Sequence, residues 1–164
     1  MAEEQKDRAK EIARDYFREA YEYQVRGEFK RALALYERSI EIFPTAEAYT
    51  FLGWTYSFMG RYDDAIRECE KAIAVDPDFG NPYNDIGAYL IEKGQLDEAV
   101  PWLLKATSAK RYDCHCYPHF NLGRVWELKG NWEKALRCYE EALRANPEYK
   151  LAQKSIFKIR SFMN

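Results

Sequence analysis

"LGWTYSFMGRYDDAIRECEKAIAVDP", running from Leu52 to Pro77, is the stretch whose reading decides the fold. Small and apolar residues recur at helical spacing on both sides of Gly60: Leu52, Gly53 and Tyr56 before it, then Ala65, Ile66, Cys69, Ala72 and Ile73 after it. A glycine between two such runs supplies the backbone freedom that ends the first helix, and Pro77 stands where the second must stop. The stretch reads as a helical hairpin whose alanines let the two helices approach closely.

Working outward, the hairpin recurs. "GEFKRA" from Gly27, "GRYDDA" from Gly60, "GQLDEA" from Gly94 and "GNWEKA" from Gly130 share glycine, any residue, a bulky apolar residue, two residues and alanine. The four glycines are 33, 34 and 36 residues apart, and a second series, Gly53, Gly87 and Gly123, falls seven residues before the last three. Pro44, Pro77 and Pro147 each follow a turn glycine by 17 residues, so helix ends keep the same period. Only Gly80 stands outside it, and it reads as a linker glycine. A small residue facing a bulky one across a hairpin is a packing requirement, so the aromatic stripe between these marks reads as core.

In these marks the chain resembles the tetratricopeptide repeat family, whose pattern is W-x2-L-G-x2-Y, then A-x3-F, then P. Tyr49, Leu52, Gly53, Tyr56, Ala65 and Pro77 match it in the second unit, with Cys69 in the later aromatic slot. Leu122, Gly123, Trp126, Ala135, Tyr139 and Pro147 match it in the fourth, where His119 takes the first aromatic slot. The third has Tyr83, Ile86, Gly87, Leu90, Ala99 and Leu103, with Arg111 in place of the last proline. The first keeps Tyr16, Ala20, Tyr23, Ala32, Tyr36 and Pro44, but puts Glu19 where leucine belongs, as suits an end of a stack. The resemblance implies an all-α fold, an α-solenoid of antiparallel helical hairpins wound into a superhelix. It forms one domain over residues 1–164, with repeats at about 13–45, 46–79, 80–115 and 116–149 and a capping helix at about 150–163. Ala9, Ile12, Ala13, Tyr16, Ala20 and Tyr23 give the first helix one apolar face; Leu151, Ala152, Ile156, Ile159 and Met163 do so for the last.

Composition narrows the function. The chain is 47% hydrophobic and 32% charged, which suits helices with one buried and one solvated face. Its 25 basic and 27 acidic side chains nearly cancel, which removes the electrostatic footprint of a phosphate-backbone binder and with it nucleic acid as a partner. No apolar run approaches the roughly 18 residues of a membrane span, so no membrane insertion is expected, and the start "MAEEQKDRAKEIARDY" is too charged for a secretory signal. A cytoplasmic, reducing location fits the four unevenly placed cysteines.

Cysteine and histidine crowd together in "RYDCHCYPHF", Arg111 to Phe120. Cys116 takes the slot of Ala13, Ala46 and Gly80, where only a small side chain fits, and His119 replaces Tyr16, Tyr49 and Tyr83. Cys114 and His115 coincide with the two residues that lengthen this repeat to 36, and read as a loop insertion. One residue separates the cysteine pair and no second pair is near, so neither a zinc site nor a functional thiol is expected. No metal, cofactor or catalytic set is assigned, and no enzymatic activity is expected. Carboxylate pairs such as Asp63 with Asp64, or Glu140 with Glu141, read as solvated helix faces.

The function expected is that of a protein-interaction scaffold with a protein or peptide partner. One residue round from each core stripe, about 100 degrees, lies a second stripe on each first helix. Arg14, Phe17 and Tyr21 occupy it in the first unit, Thr50, Trp54 and Phe58 in the second, Asn84 in the third, and Tyr117, Phe120 and Arg124 in the fourth, with Asn121 beside them. The family resemblance implies that these stripes line a concave, peptide-binding groove. Aromatics and arginine are frequent anchors, and asparagine pairs with an extended backbone in both directions. The clamp by which some members grip chaperone tails, lysine, asparagine, asparagine, lysine, arginine, falls here on Phe17, Tyr21, Phe51, Asn81 and Asp85, where its cations are missing. The alternative is a structural solenoid in which the same residues serve a homo-oligomer.

Overall fold

In the computed structural model, which describes residues 1–163 except for the side chain of Ala2, nine α-helices follow one another and no β-strand forms among the described residues. They are α1 (Ala2–Val25), α2 (Phe29–Ile42), α3 (Ala46–Phe58), α4 (Tyr62–Val75), α5 (Asn81–Glu92), α6 (Leu96–Thr107), α7 (Cys116–Leu128), α8 (Trp132–Ala145) and α9 (Lys150–Met163). The chain divides after Pro77 into two compact units. In the first, α1 packs on α2, α2 on α3 and α3 on α4, and α1 also touches α3. In the second, α5 through α9 pack in the same sequential way, with α5 also against α7.

Each hairpin turns on its glycine. Gly27, Gly60, Gly94 and Gly130 all have φ between +73° and +77°, a region other residues enter at a cost. The amide after each glycine donates back five residues, Glu28 to Tyr23, Arg61 to Tyr56, Gln95 to Leu90 and Asn131 to Trp126, at 2.8 to 3.0 Å. This bond gives a donor to a carbonyl that the ending helix would otherwise leave unpaired. At the other ends, Thr45 Oγ1 accepts from the Ala48 amide and Asn131 Oδ1 from the Lys134 amide, capping α3 and α8. Asp63 and Asp64 lie in the first turn of α4, where a carboxylate meets the positive end of the helix dipole.

The core is the line where the two helices of a hairpin touch. A Cβ on Gly87 would lie 2.4 Å from Leu103 Cδ2, and one on Gly123 would lie 2.4 Å from Tyr139 Cε1. Glycine is required there because the opposite side chain fills the space. Ala32, Tyr36 and Ser39 are buried on α2, and the same register buries Ala65, Cys69 and Ala72 on α4, Ala99, Leu103 and Ala106 on α6, and Ala135, Tyr139 and Ala142 on α8. The opposite face of each first helix is buried too: Ala48, Leu52 and Thr55, then Pro82, Ile86 and Tyr89, then Pro118, Leu122 and Val125, and on α9 Ala152, Ile156 and Ile159. In α1 that register holds Asp15, Glu19 and Glu22, all exposed.

Three expectations need correction. Gly80 is no free linker position, because a Cβ there would lie 2.7 Å from the Tyr112 ring and 2.9 Å from Ala109 Cβ. It caps α5 and is tied to the loop before α7, because the Gly80 amide donates to the Arg111 carbonyl and the Arg111 amide donates to the Asp78 carbonyl. Ile12 is 41% exposed, off the face that α1 buries. Leu151 and Met163 also point outward, since α9 buries only the narrower row Ala152, Ile156 and Ile159. Finally, Cys114 and Cys116 are joined by a disulfide, which the loop-insertion reading did not foresee; Cys69 and Cys138 take no part in a disulfide.

Candidate partner-binding site

In the first unit the second stripe of α1 and α3 forms an aromatic surface centred on Phe51. Phe17 and Tyr21 meet the Phe51 ring edge-on at centroid distances of 5.0 and 5.8 Å, and Trp54 lies 4.5 Å from it. Such tilted and edge-on contacts are the favoured arrangement of ring quadrupoles, so the cluster is stiff. Beyond it, Phe58 stacks on Phe29 at 5.7 Å. Tyr21, Gln24, Val25, Phe29, Trp54 and Phe58 line a cleft of about 400 Å³. Its rim is open, with Tyr21 47% and Phe58 61% exposed. A second cleft of about 400 Å³ lies by Lys10, Arg14, Phe17, Phe43 and Glu47, where an exposed guanidinium adjoins two rings.

Two first-unit positions point inward instead. Thr50 is 1% exposed and donates its hydroxyl to the Ala46 carbonyl at 2.7 Å, so it offers no surface to a partner. Gln24 is buried and accepts from the Tyr36 hydroxyl at 2.6 Å and the Thr55 hydroxyl at 3.3 Å. Both residues lie where neighbouring helices cover the second stripe.

In the second unit a polar chain links α5 to α7. Asn121 Nδ2 donates to Asn84 Oδ1 at 3.0 Å, Arg124 donates to Asn121 Oδ1 at 3.2 Å, and Arg124 also donates to Glu92 Oε1 at 2.8 Å. Asn84 and Asn121 are 8% exposed each, and burial favours exactly such mutually satisfied polar groups. The Arg124 charge is thus shared with Glu92. Tyr117 and Phe120 meet through Tyr149, at 5.6 and 5.2 Å, and Tyr117 remains 45% exposed. Sequence reasoning missed Phe51, Phe29, Glu92 and Tyr149 as parts of these surfaces. For Glu92 and Arg124 the signal was present, since opposite charges nearly one repeat apart lie side by side on adjacent first helices.

Titration behaviour follows the packing. Glu127 is pushed up by its burial, but hydrogen bonds from Lys158 and Tyr139 and the charges of Lys158 and Arg124 outweigh this and hold its carboxyl below the usual range. Burial lowers the His119 imidazole, with His115 adding to the effect and Glu141 opposing it. Among the described residues no three of histidine, cysteine, aspartate and glutamate gather as a metal would need, and no helix is long and apolar enough to cross a membrane.

Known proteins place this arrangement. Tetratricopeptide repeat family models match residues 46–79, 68–100 and 116–149. The TPR repeat-containing thioredoxin TTL4 of Arabidopsis thaliana is 28% identical over 71% of this chain, which corresponds to 16% of that relative. Inactive TPR repeat-containing thioredoxin TTL3 from the same plant is 25% identical over 72% of this chain and 18% of its own length. The chain thus spans less than a fifth of these curated relatives. Among solved structures, pilF of Pseudomonas aeruginosa superimposes with a TM-score of 0.83 at 24% identity, over 94% of this chain and 68% of that one. YrrB, described as a TPR protein with an unusual peptide-binding site, gives 0.70 at 22% identity, over 87% of this chain and 73% of its own. These likenesses establish the all-α helical-hairpin fold of the solenoid class. Three family matches, four turn glycines in one conformation and the repeated small-against-bulky core make this chain a member of the tetratricopeptide repeat family.

Proposed function

We propose that the chain is a non-enzymatic scaffold that docks a short segment of a partner protein on the first-helix surface, with the aromatic cleft of residues 1–77 as the principal anchor point. One observation carries the reading: Tyr21 and Phe58 stand open at the rim of a cleft floored by Trp54 and Phe29, although packing within the hairpin does not need them there. Large rings on a stiff base bury much apolar area at little entropic cost, which is what an anchor requires. Arg14 in the neighbouring cleft is the secondary contact, and Tyr117, Phe120 and Arg124 form a separate candidate surface on the other unit. YrrB's peptide-binding site supports peptide as the class of ligand by analogy.

Selection from a library of random twelve-residue peptides, followed by calorimetric titration of the winners, tests the proposal. Winners should be rich in leucine or aromatic residues and lose affinity to Phe58→Ala. Winners that bind Phe58→Ala and Tyr21→Ala as well as the parent would overturn it.

A second reading has its own observation. On α9 Leu151, Phe157 and Phe162 are 52%, 78% and 72% exposed, and Phe157 takes the register of Gly53, Gly87 and Gly123. A homo-oligomer joined through α9 would cover such residues. Sedimentation velocity over a wide concentration range separates the readings, since a monomer throughout removes the second.

A further inference from the structure

The Cys114–Cys116 bridge has properties that a structural staple does not need. A disulfide stabilises chiefly by closing a loop in the unfolded chain, and the effect shrinks with the loop; here a single residue lies between the two cysteines. The fold also has other means of fixing this turn. The Gly80 amide donates to the Arg111 carbonyl and the Arg111 amide to the Asp78 carbonyl, Tyr112 packs its ring against Gly80, and the His115 ring donates from Nε2 to the Ala109 carbonyl at 2.9 Å.

The two sulfurs stand in unlike settings. Cys116 is 0% exposed, sunk among Ala135, Tyr139 and Ala142. Cys114 is only partly buried, and its Sγ accepts a hydrogen bond from the Cys116 amide at 3.3 Å, at the first residue of α7. That amide is among the free donors of a helix N-terminus, where negative charge on sulfur is stabilised. One cysteine is therefore partly exposed, with its sulfur held by a donor suited to a thiolate, while its partner is out of reach of solvent.

We propose that Cys114 and Cys116 form a reversible dithiol–disulfide couple that exchanges with low-molecular-weight thiols through Cys114. An outside thiolate attacks Cys114 Sγ and forms a mixed disulfide; the protein S–S bond breaks, and Cys116 leaves as a thiolate that takes up a proton. A second outside thiolate then attacks the outside sulfur of the mixed disulfide, releasing an oxidised small-molecule disulfide and leaving Cys114 reduced. Two electrons pass from two thiols to the bridge, and the reverse sequence closes it. Because Tyr117 follows Cys116 and its ring lies 6.5 Å from Tyr112 and 5.6 Å from Tyr149, the couple adjoins the second unit's candidate surface.

The test equilibrates the full chain in graded ratios of reduced to oxidised glutathione, quenches with acid, alkylates under denaturing conditions and maps the modified peptides. Cys114 and Cys116 should pass together from blocked to alkylated as the ratio rises, and return on reoxidation. Cys116→Ala, which places in this slot the residue found at Ala13 and Ala46, should capture one glutathione on Cys114 while keeping its helical circular dichroism. Alkylation of both cysteines at every ratio overturns the proposal. So does a pair that stays blocked at the most reducing ratio, or a Cys114→Ala variant that takes glutathione on Cys116 while Cys116→Ala takes none.

Discussion

The Tyr139 hydroxyl donates to Glu127 Oε2 at 2.6 Å, and one hundred and three residues earlier Tyr36 donates to Gln24 Oε1 at the same distance. In both hairpins the tyrosine rises from the second helix, is fully buried, and finds its acceptor in the last turn of the first. The third hairpin has Leu103 and Ile91 in these registers, and both are buried. A polar pair and an apolar pair therefore solve the same packing problem, and a mixture of the two would strand a hydroxyl or a carboxylate.

Tyr139→Phe should accordingly cost about 1–2 kcal/mol in urea unfolding, because it removes one hydrogen bond to a charged acceptor without opening a cavity. Tyr139→Leu alone should cost more. Combining it with Glu127→Ile, to copy the third hairpin, should recover part of that loss. A double variant as unstable as the sum of the singles would show that the pairing is incidental.

The two displaced titrations give stability a common dependence on acid. Glu127 and His119 both have folded pKa values below their unfolded ones, so each contributes stability that is present above its unfolded value and is lost as pH falls through the folded value. Melting temperature should decline first below about pH 6.5, from His119, and further below about pH 4.3, from Glu127. His119→Phe should flatten the first part of that decline. A melting temperature that rises between pH 7 and pH 5 would contradict the sign.

Glycine substitutions separate close approach from turn geometry. Gly87→Leu forces a side chain into Leu103 and should cost about 1–3 kcal/mol or more through overpacking, whereas Gly60→Ala meets nothing within 4 Å and should cost about 1–2 kcal/mol through its positive φ. Gly80→Ala should also destabilise, since Tyr112 and Ala109 crowd it. Thermal melts of the three variants check the order, and a neutral Gly80→Ala would show that Tyr112 yields freely.

Much of this was legible in the sequence, for a reason these glycines make plain. A turn glycine is needed wherever φ is positive and a helical glycine wherever two helices touch, and both needs recur with the hairpin, so Gly60 and Gly87 announce the register unaided. The candidate site was less legible. A helical wheel drawn for one hairpin puts Thr50, Asn84 and Asn121 beside the core, on an open stripe. Adjacent first helices close over part of that stripe, as the contacts of α1 with α3 and of α5 with α7 require, and turn these three inward. Phe51 was missed for the complementary reason: its importance lies in joining rings from two helices, which periodicity along one helix does not express. The bridge between Cys114 and Cys116 had no signal in a period of some 34 residues, because one of its two ends, Cys114, belongs to the insertion that breaks it.

Trp54 needs a different expectation from the one its position alone suggests. It is half-buried against Phe51, so Trp54→Ala should lower stability as well as binding, by about 1–3 kcal/mol in unfolding. Phe58, more exposed and stacked on Phe29, should cost less than about 1 kcal/mol when truncated. Paired urea titrations of the two variants test this, and equal losses would place both rings in the core.

The most direct measurement is the affinity of one selected peptide for the parent chain and for Phe58→Ala, by isothermal titration at 25 °C, with the melting temperature of each recorded alongside. The account predicts a loss of about 1.4–2 kcal/mol, ten- to thirtyfold in Kd, with little change in melting. Unchanged affinity in a folded variant would contradict it and move the anchor away from the aromatic cleft.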